Sequence, residues 1–279
     1  MIHELIKRPL SLLGLIIVGI FVFLALFGSH IAPYKYDEFI RNDAGRVMQR
    51  AEPSSAHLLG TDKEGRDVLS RVLWGARDIM LLPGIATFFS VLFGTALGMT
   101  IGYYGGWLDE IISRLLDSLL SIPALVLALV MLGLLGASPI GLVLVVVVLY
   151  IPIIARVIRS ATLNIRAKGY IEIAKLRGES TFYILTREVL PSILPALTVE
   201  AALRFSYAIF LVASLGFLGL GVQPPSPDWG RMVDEARGEV LRAPWSLWSP
   251  AAAIAILVIG VNLLADGLRR VFRYEGQMR

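Results

Sequence analysis

Cysteine is absent from the 279 residues, which excludes disulfides, a thiolate nucleophile and a cysteine metal site and leaves the redox compartment unread. Histidine is scarce. His3, His30 and His57 are too scattered for a metal or nucleophile constellation, no H-E-x-x-H occurs, and no serine has a histidine partner in a plausible site. The dipeptide Gly-Lys is also missing, so the phosphate-cradling loop G-x-x-x-x-G-K-[ST] cannot occur and no nucleotide motor is encoded. Charge is thin: Asp, Glu, Lys and Arg make up 17% of the chain against 56% hydrophobic residues, at a mean hydropathy of +0.71. That is the composition of a membrane protein. A net charge of +4 and a pI near 9.4 are accounted for by basic residues flanking spans, so no nucleic-acid partner is expected.

What the chain does have is apolar runs of about 20 residues, the length that crosses a hydrocarbon core as a helix. They fall at about Leu10–Ala32, Ile79–Tyr104, Ile111–Leu135, Ile140–Ile158, Ile193–Phe217 and Trp248–Leu268, and predict an all-α polytopic membrane protein with six transmembrane helices. A β-barrel would show short alternating segments, and the run "GLVLVVVVLY" does not alternate. The first run is too long for a signal-peptide core and lacks a small-x-small cleavage site before "PYKYDE", so it reads as an anchor. Raw counts of basic residues barely separate the two orientations. Lys7 and Arg8 abutting the first span, and Arg269, Arg270 and Arg273 abutting the last, favour both termini on the cytoplasmic side.

That orientation makes residues 159–189 a cytoplasmic loop far longer than two adjacent spans need. Within it, "NIRAKGYIEIAKLR" sets Ile165, Ile171, Ala174 and Leu176 toward one side and its charges elsewhere, a short amphipathic helix. Gly178 suits a helix C-terminus, Ser180 can cap the next helix, and Pro191 suits the entrance to the following span. A bent helical pair of this kind is either a handle for another protein or a solvated loop on the headgroups, and the pattern alone leaves both open.

The stretch "EIAKLRG", followed after nine residues by "EVLP", resembles the EAA loop of binding-protein-dependent ABC transporter permeases. Glu172, Ala174, Gly178, Leu190 and Pro191 match that pattern, while Ile173 and Glu188 depart from it. Three further stretches resemble the second of the two permease types in the dipeptide, oligopeptide and nickel branch: "HLLGTDKEGRDVLSRVLWGAR", "GYYGGWLDEIISRLLDSLLSIPALVLAL" and "SLGFLGLGVQPPSPDWGRM" with "NLLADGLRR". The resemblance implies the MetI-like, type I ABC importer permease fold. It implies an anchor and extracytoplasmic segment over residues 1–77, a permease domain over 78–268 and a cytoplasmic tail over 269–279.

By the same resemblance the chain pairs with a second, homologous permease subunit to enclose a path for peptides or a related solute such as nickel, in a bacterial inner membrane. Two cytoplasmic ATPase subunits use ATP and Mg, which this chain does not bind, and an extracytoplasmic solute-binding protein delivers cargo. Tyr170, Glu172, Ala174, Gly178, Leu190 and Pro191 would form the ATPase-coupling loop.

Other residues are read from physics. Gly60 to Gly65 predict a tight turn, and Val68, Leu69, Val72, Leu73 and Ala76 predict an apolar stripe on a helix lying along the outer membrane surface. Gly94, Gly98 and Gly102 predict close helix packing. Glu200 and Arg204, four apart in the fifth span, form either a lining of the substrate path or an interhelical staple. Arg114 with Asp117, and Asn262 with Asp266, read as structural pairs near inner span ends. Trp229, Trp245 and Trp248 fit an aromatic belt. The rival reading is a self-contained secondary transporter or channel driven through Glu200 or Asp117, though no convincing inverted repeat supports it.

Overall fold

The computed structural model describes residues 8–277. His3, Lys7 and Arg279, and the side chain of Arg273, lie outside the described residues. The first helix, α1 (Pro9–Ile31), opens on a proline whose missing N–H falls where the helix needs none. It displays Leu13, Ile16, Ile20, Phe23 and Phe27 to its surroundings, as a lipid-facing span should. Residues 32–67 then form an irregular segment stitched by isolated bridges such as Phe39 with Arg66 and Thr61 with Asp67. The expected turn is present, with Gly60 and Gly65 both at positive φ.

Helix α2 (Val68–Tyr104) is 37 residues long and corrects one expectation. The stripe that begins at Val68 belongs to no separate surface helix. It is the first turns of the second span itself, because Asp67 caps that helix by accepting from the Ser70 N–H at 2.8 Å and nothing breaks it before the membrane. The third span is also not straight. It is built as α3 (Gly106–Leu120) and α4 (Ala124–Leu135), bent by 88° at the break. Pro123 supplies the cause, since it lacks a donor and disfavours helix at Ile122. The charged α3 therefore leaves the line of the apolar α4. Among the described residues, five helices are long and apolar enough to cross a membrane, or six if the bent pair counts as one span.

Helix α5 (Pro139–Arg166) packs along α2 in the most extensive seam of the bundle. A methyl group on Gly98 would sit 2.5 Å from the Ala155 carbonyl oxygen, and one on Gly94 2.8 Å from Ile154 Cβ. The glycine stripe thus lets two backbones touch where lipid offers no hydrophobic drive for association. Chain direction then alternates: α6 (Gly169–Leu176), α7 (Thr181–Phe217), α8 (Trp229–Ala236) and α9 (Pro244–Gln277) complete the fold. One end of the bundle, the loop face, carries residues 32–67 and α8. The opposite end, the elbow face, carries α6 and the corner after it.

Candidate functional site: the elbow and the loop-face clasp

The elbow is an amphipathic helix held by two side chains. Ile171 and Ala174 are fully buried, while Tyr170, Glu172, Ile173, Lys175 and Leu176 face outward. Leu176 corrects the expected face: it is 84% exposed, because α5 runs on to Arg166 and α6 starts only at Gly169, which rotates the register. The corner then closes as the sequence suggests. Gly178 adopts φ +77°, its N–H donates to the Lys175 carbonyl at 3.0 Å, and the Glu179 N–H donates to the Ala174 carbonyl at 3.2 Å. Ser180 Oγ accepts from the Tyr183 N–H at 3.2 Å, capping α7. Nothing lies within 4 Å of where a Gly178 Cβ would be.

Besides its buried side chains and an Arg177–Glu188 ion pair at 4.0 Å, two further contacts tie the elbow to the bundle. The Lys175 ammonium stands 5.0 Å over the Tyr103 ring at the end of α2, and Tyr170 Oη lies 3.1 Å from Ser192 Oγ in α7. Leu190 and Pro191 open the regular part of α7, so the structure brings Tyr170 to the first turn after Pro191. Phe182, 77% exposed, joins Ile173 and Leu176 in an apolar rim. Sequence reading missed Phe182, although its position two residues past the Ser180 cap gave the signal.

The predicted path pair lies elsewhere, in the membrane part of α7, about 14 Å along the helix from Pro191 by rise per residue. Arg204 Nε and Glu200 Oε1 approach to 2.7 Å, and the guanidinium stacks 5.0 Å from Tyr207 and 5.8 Å from Tyr150 of α5. Glu200 is buried. The other expected pairs rearrange: Arg114 pairs with Glu110 rather than Asp117, whose partner is Arg156 of α5, and Asn262 donates to the Val258 carbonyl. For Arg114 the carboxylate four residues back lies on the same helical face, whereas Asp117 turns toward α5.

At the loop face the motif G-T-D-x-x-G-R-D acquires a purpose. Asp62 accepts from Arg66 Nε and Arg71 Nη1, both at 2.8 Å, and Glu235 of α8 accepts from Arg66 Nη2 at 2.9 Å and Arg71 Nη1 at 3.1 Å. The irregular segment is thereby clasped to α8. Burial alone would raise the Glu235 pKa, but Arg71 and Arg66 outweigh it and hold the carboxylate below its usual range. Asp228 behaves oppositely: burial, only partly offset by the Arg231 N–H it accepts, pushes it up to about 6. Two tryptophans leave the expected aromatic belt. Trp229 is 1% exposed and donates to the Val72 carbonyl, and Trp245 donates to the Thr61 carbonyl; Trp248 remains 62% exposed.

A glycine-sealed bundle of apolar spans with a helical corner projecting from one end defines a multi-pass membrane protein. Its fold resembles a chain of the methionine ABC transporter MetNI in inward-facing conformations, at TM-score 0.60 and 20% identity, covering 72% of this chain and 95% of that one. Residues 94–273 match the family of binding-protein-dependent transport system inner membrane components, and residues 1–53 match the N-terminal transmembrane domain of oligopeptide transport permease C. The chain belongs to this permease family. It is 36% identical over 266 residues to a dipeptide transport system permease of Alkalihalophilus pseudofirmus, spanning 95% of this chain and 86% of that protein. A glutathione transport system permease of Pectobacterium atrosepticum is 40% identical over 256 residues, spanning 90% and 83%.

Proposed function

We propose that this permease forms half of a path for short peptides or glutathione-like solutes. A second permease subunit encloses the other half. Two cytoplasmic ATPase subunits, which hold the ATP and Mg, dock on the elbow, and an extracytoplasmic solute-binding protein delivers cargo to the loop face. The elbow face and both chain ends are then cytoplasmic, in a bacterial inner membrane. The observation that carries the reading is the elbow itself: two buried anchors, Ile171 and Ala174, beneath an exposed apolar rim of Ile173, Leu176 and Phe182. An apolar rim beside a fixed corner suits a protein cleft, and Tyr170, Glu172 and Gly178 share that exposed surface.

Peptide cargo is supported by the dipeptide and glutathione permeases among the relatives. Glu200 and Arg204 are read as a staple between α7 and α5 that borders the path through Tyr207, half exposed beside them. Gradient-driven transport through Glu200 or Asp117 is disfavoured, since each carboxylate sits against an arginine. The test is uptake of labelled dialanine into proteoliposomes holding the two permeases and their ATPases. Uptake should require ATP and the binding protein and persist without an ion gradient; uptake by this chain alone, or dependence on a gradient, overturns the reading.

A further inference from the structure

Motion delivered to the elbow has two routes into the membrane. The covalent route runs through Gly178 into α7, and it contains a compliant stretch: Ile184–Val189 form a π turn, in which the Leu190 N–H reaches back to the Leu185 carbonyl. Pro191 and Pro195 follow within one and two turns, each removing a helical hydrogen bond. Hydroxyls bond back onto the helix backbone, with Ser192 Oγ donating to the Glu188 carbonyl at 2.8 Å and Thr186 Oγ1 to the Phe182 carbonyl at 2.7 Å. π turns, prolines and such back-bonding are the ordinary causes of helix bending. A push sent along this route alone would be absorbed in the bend.

The second route is not covalent. Since the Ser192 proton is committed to the Glu188 carbonyl, Tyr170 O–H donates to Ser192 Oγ at 3.1 Å. That contact joins the first turn of α6 to α7 beyond the π turn and Pro191. We propose that Ile184–Val189 is a hinge and that Ser192 is the positioning residue which straps the elbow to α7 across it. This rests on the elbow being the ATPase dock. It adds that one hydroxyl strengthens transmission into the fifth span beyond the hinge.

Because the chain has no cysteine, spin labels can be placed directly at Lys168→Cys beside the elbow and Ala196→Cys in α7, both exposed, in the assembled transporter in nanodiscs. Distances are measured by pulsed electron resonance without nucleotide and with Mg and a non-hydrolysable ATP analogue. In the otherwise native chain the 168–196 distance should stay constant. With Ser192→Ala it should shift by ~2 Å or more between the two states. Uptake should fall by about fivefold, the order expected from losing one hydrogen bond, while ATP hydrolysis holds, and Ser192→Thr should restore both readouts.

A nucleotide-dependent 168–196 distance in the native chain overturns the strap. So does a Ser192→Ala variant with native distance and uptake, or one that Ser192→Thr fails to rescue. A separate label pair, Lys168→Cys with Leu241→Cys on the loop face, tests the docking reading. If that distance ignores nucleotide while the ATPases bind it, the dock itself is wrong, whatever Ser192 does.

Discussion

Gly178 is a residue whose requirement comes from its backbone angle. At φ +77° with open space around its Cβ position among the described residues, a valine there strains the corner by ~1–2 kcal/mol. Gly178→Val should leave the permease folded and membrane-inserted while separating ATP hydrolysis from uptake, which paired hydrolysis and transport assays on the complex would read. Asp228 offers a different test. Its folded pKa of about 6 lies above its unfolded value, so its contribution to stability is complete below about pH 4 and is lost as pH rises toward 6; ionised at neutral pH, it opposes folding by about 2–3 kcal/mol. Asp228→Asn keeps a capping side chain for α8 and removes the charge. It should raise the melting temperature at pH 7.5 and flatten that part of the stability profile.

Opposite signs identify opposite roles. Glu235, held below its usual range by Arg71 and Arg66, contributes stability that is present above its unfolded pKa and is lost as pH falls through the folded one. Glu235→Gln should lower the melting temperature most near neutral pH and least in acid, the reverse of Asp228→Asn. For the Glu200–Arg204 pair, Arg204→Leu strands a buried carboxylate, a cost of ~3–5 kcal/mol. The double change Glu200→Leu with Arg204→Leu should recover most of the lost folded yield, as measured by size-exclusion chromatography of solubilised protein.

At the scale of elements, the α2–α5 seam depends on absent side chains. Gly98→Leu would drive a Cβ to 2.5 Å from the Ala155 carbonyl oxygen, forcing the two spans apart, and should reduce folded yield far more than the same change at Gly133, where a Cβ meets nothing within 4 Å. This seam was legible in the sequence because a four-residue glycine period inside a span has few other uses. The elbow was legible for a similar reason, its breaks being written in Gly178, Ser180 and Pro191. What escaped reading was geometry set by a single residue acting at a distance. Pro123 bends the third span, yet an apolar run on either side of it looks continuous, and the π turn at Ile184–Val189 has no composition of its own. The loop-face clasp was illegible because Asp62 and Glu235 are joined only by folding.

For the whole molecule, the two ends of the bundle are built on different principles. The loop face is locked by a charge network of Arg66, Arg71, Asp62 and Glu235, by a separate Arg50–Glu239 pair, and by indole donors reaching backbone carbonyls. The elbow face is held by two buried side chains, one ion pair, one aromatic contact and one hydroxyl pair. A rigid rim at one end and a compliant fixture at the other suit a body that receives cargo on a fixed surface and takes its drive through a movable one.

The emptiness around Gly178 has a genetic consequence. If the space a side chain would enter there is occupied only by another polypeptide, then second-site revertants of a Gly178 variant should arise in the gene for the ATPase, not in this one. Selection for restored growth on peptide, followed by sequencing both genes, would show on which side of the contact the compensating change falls.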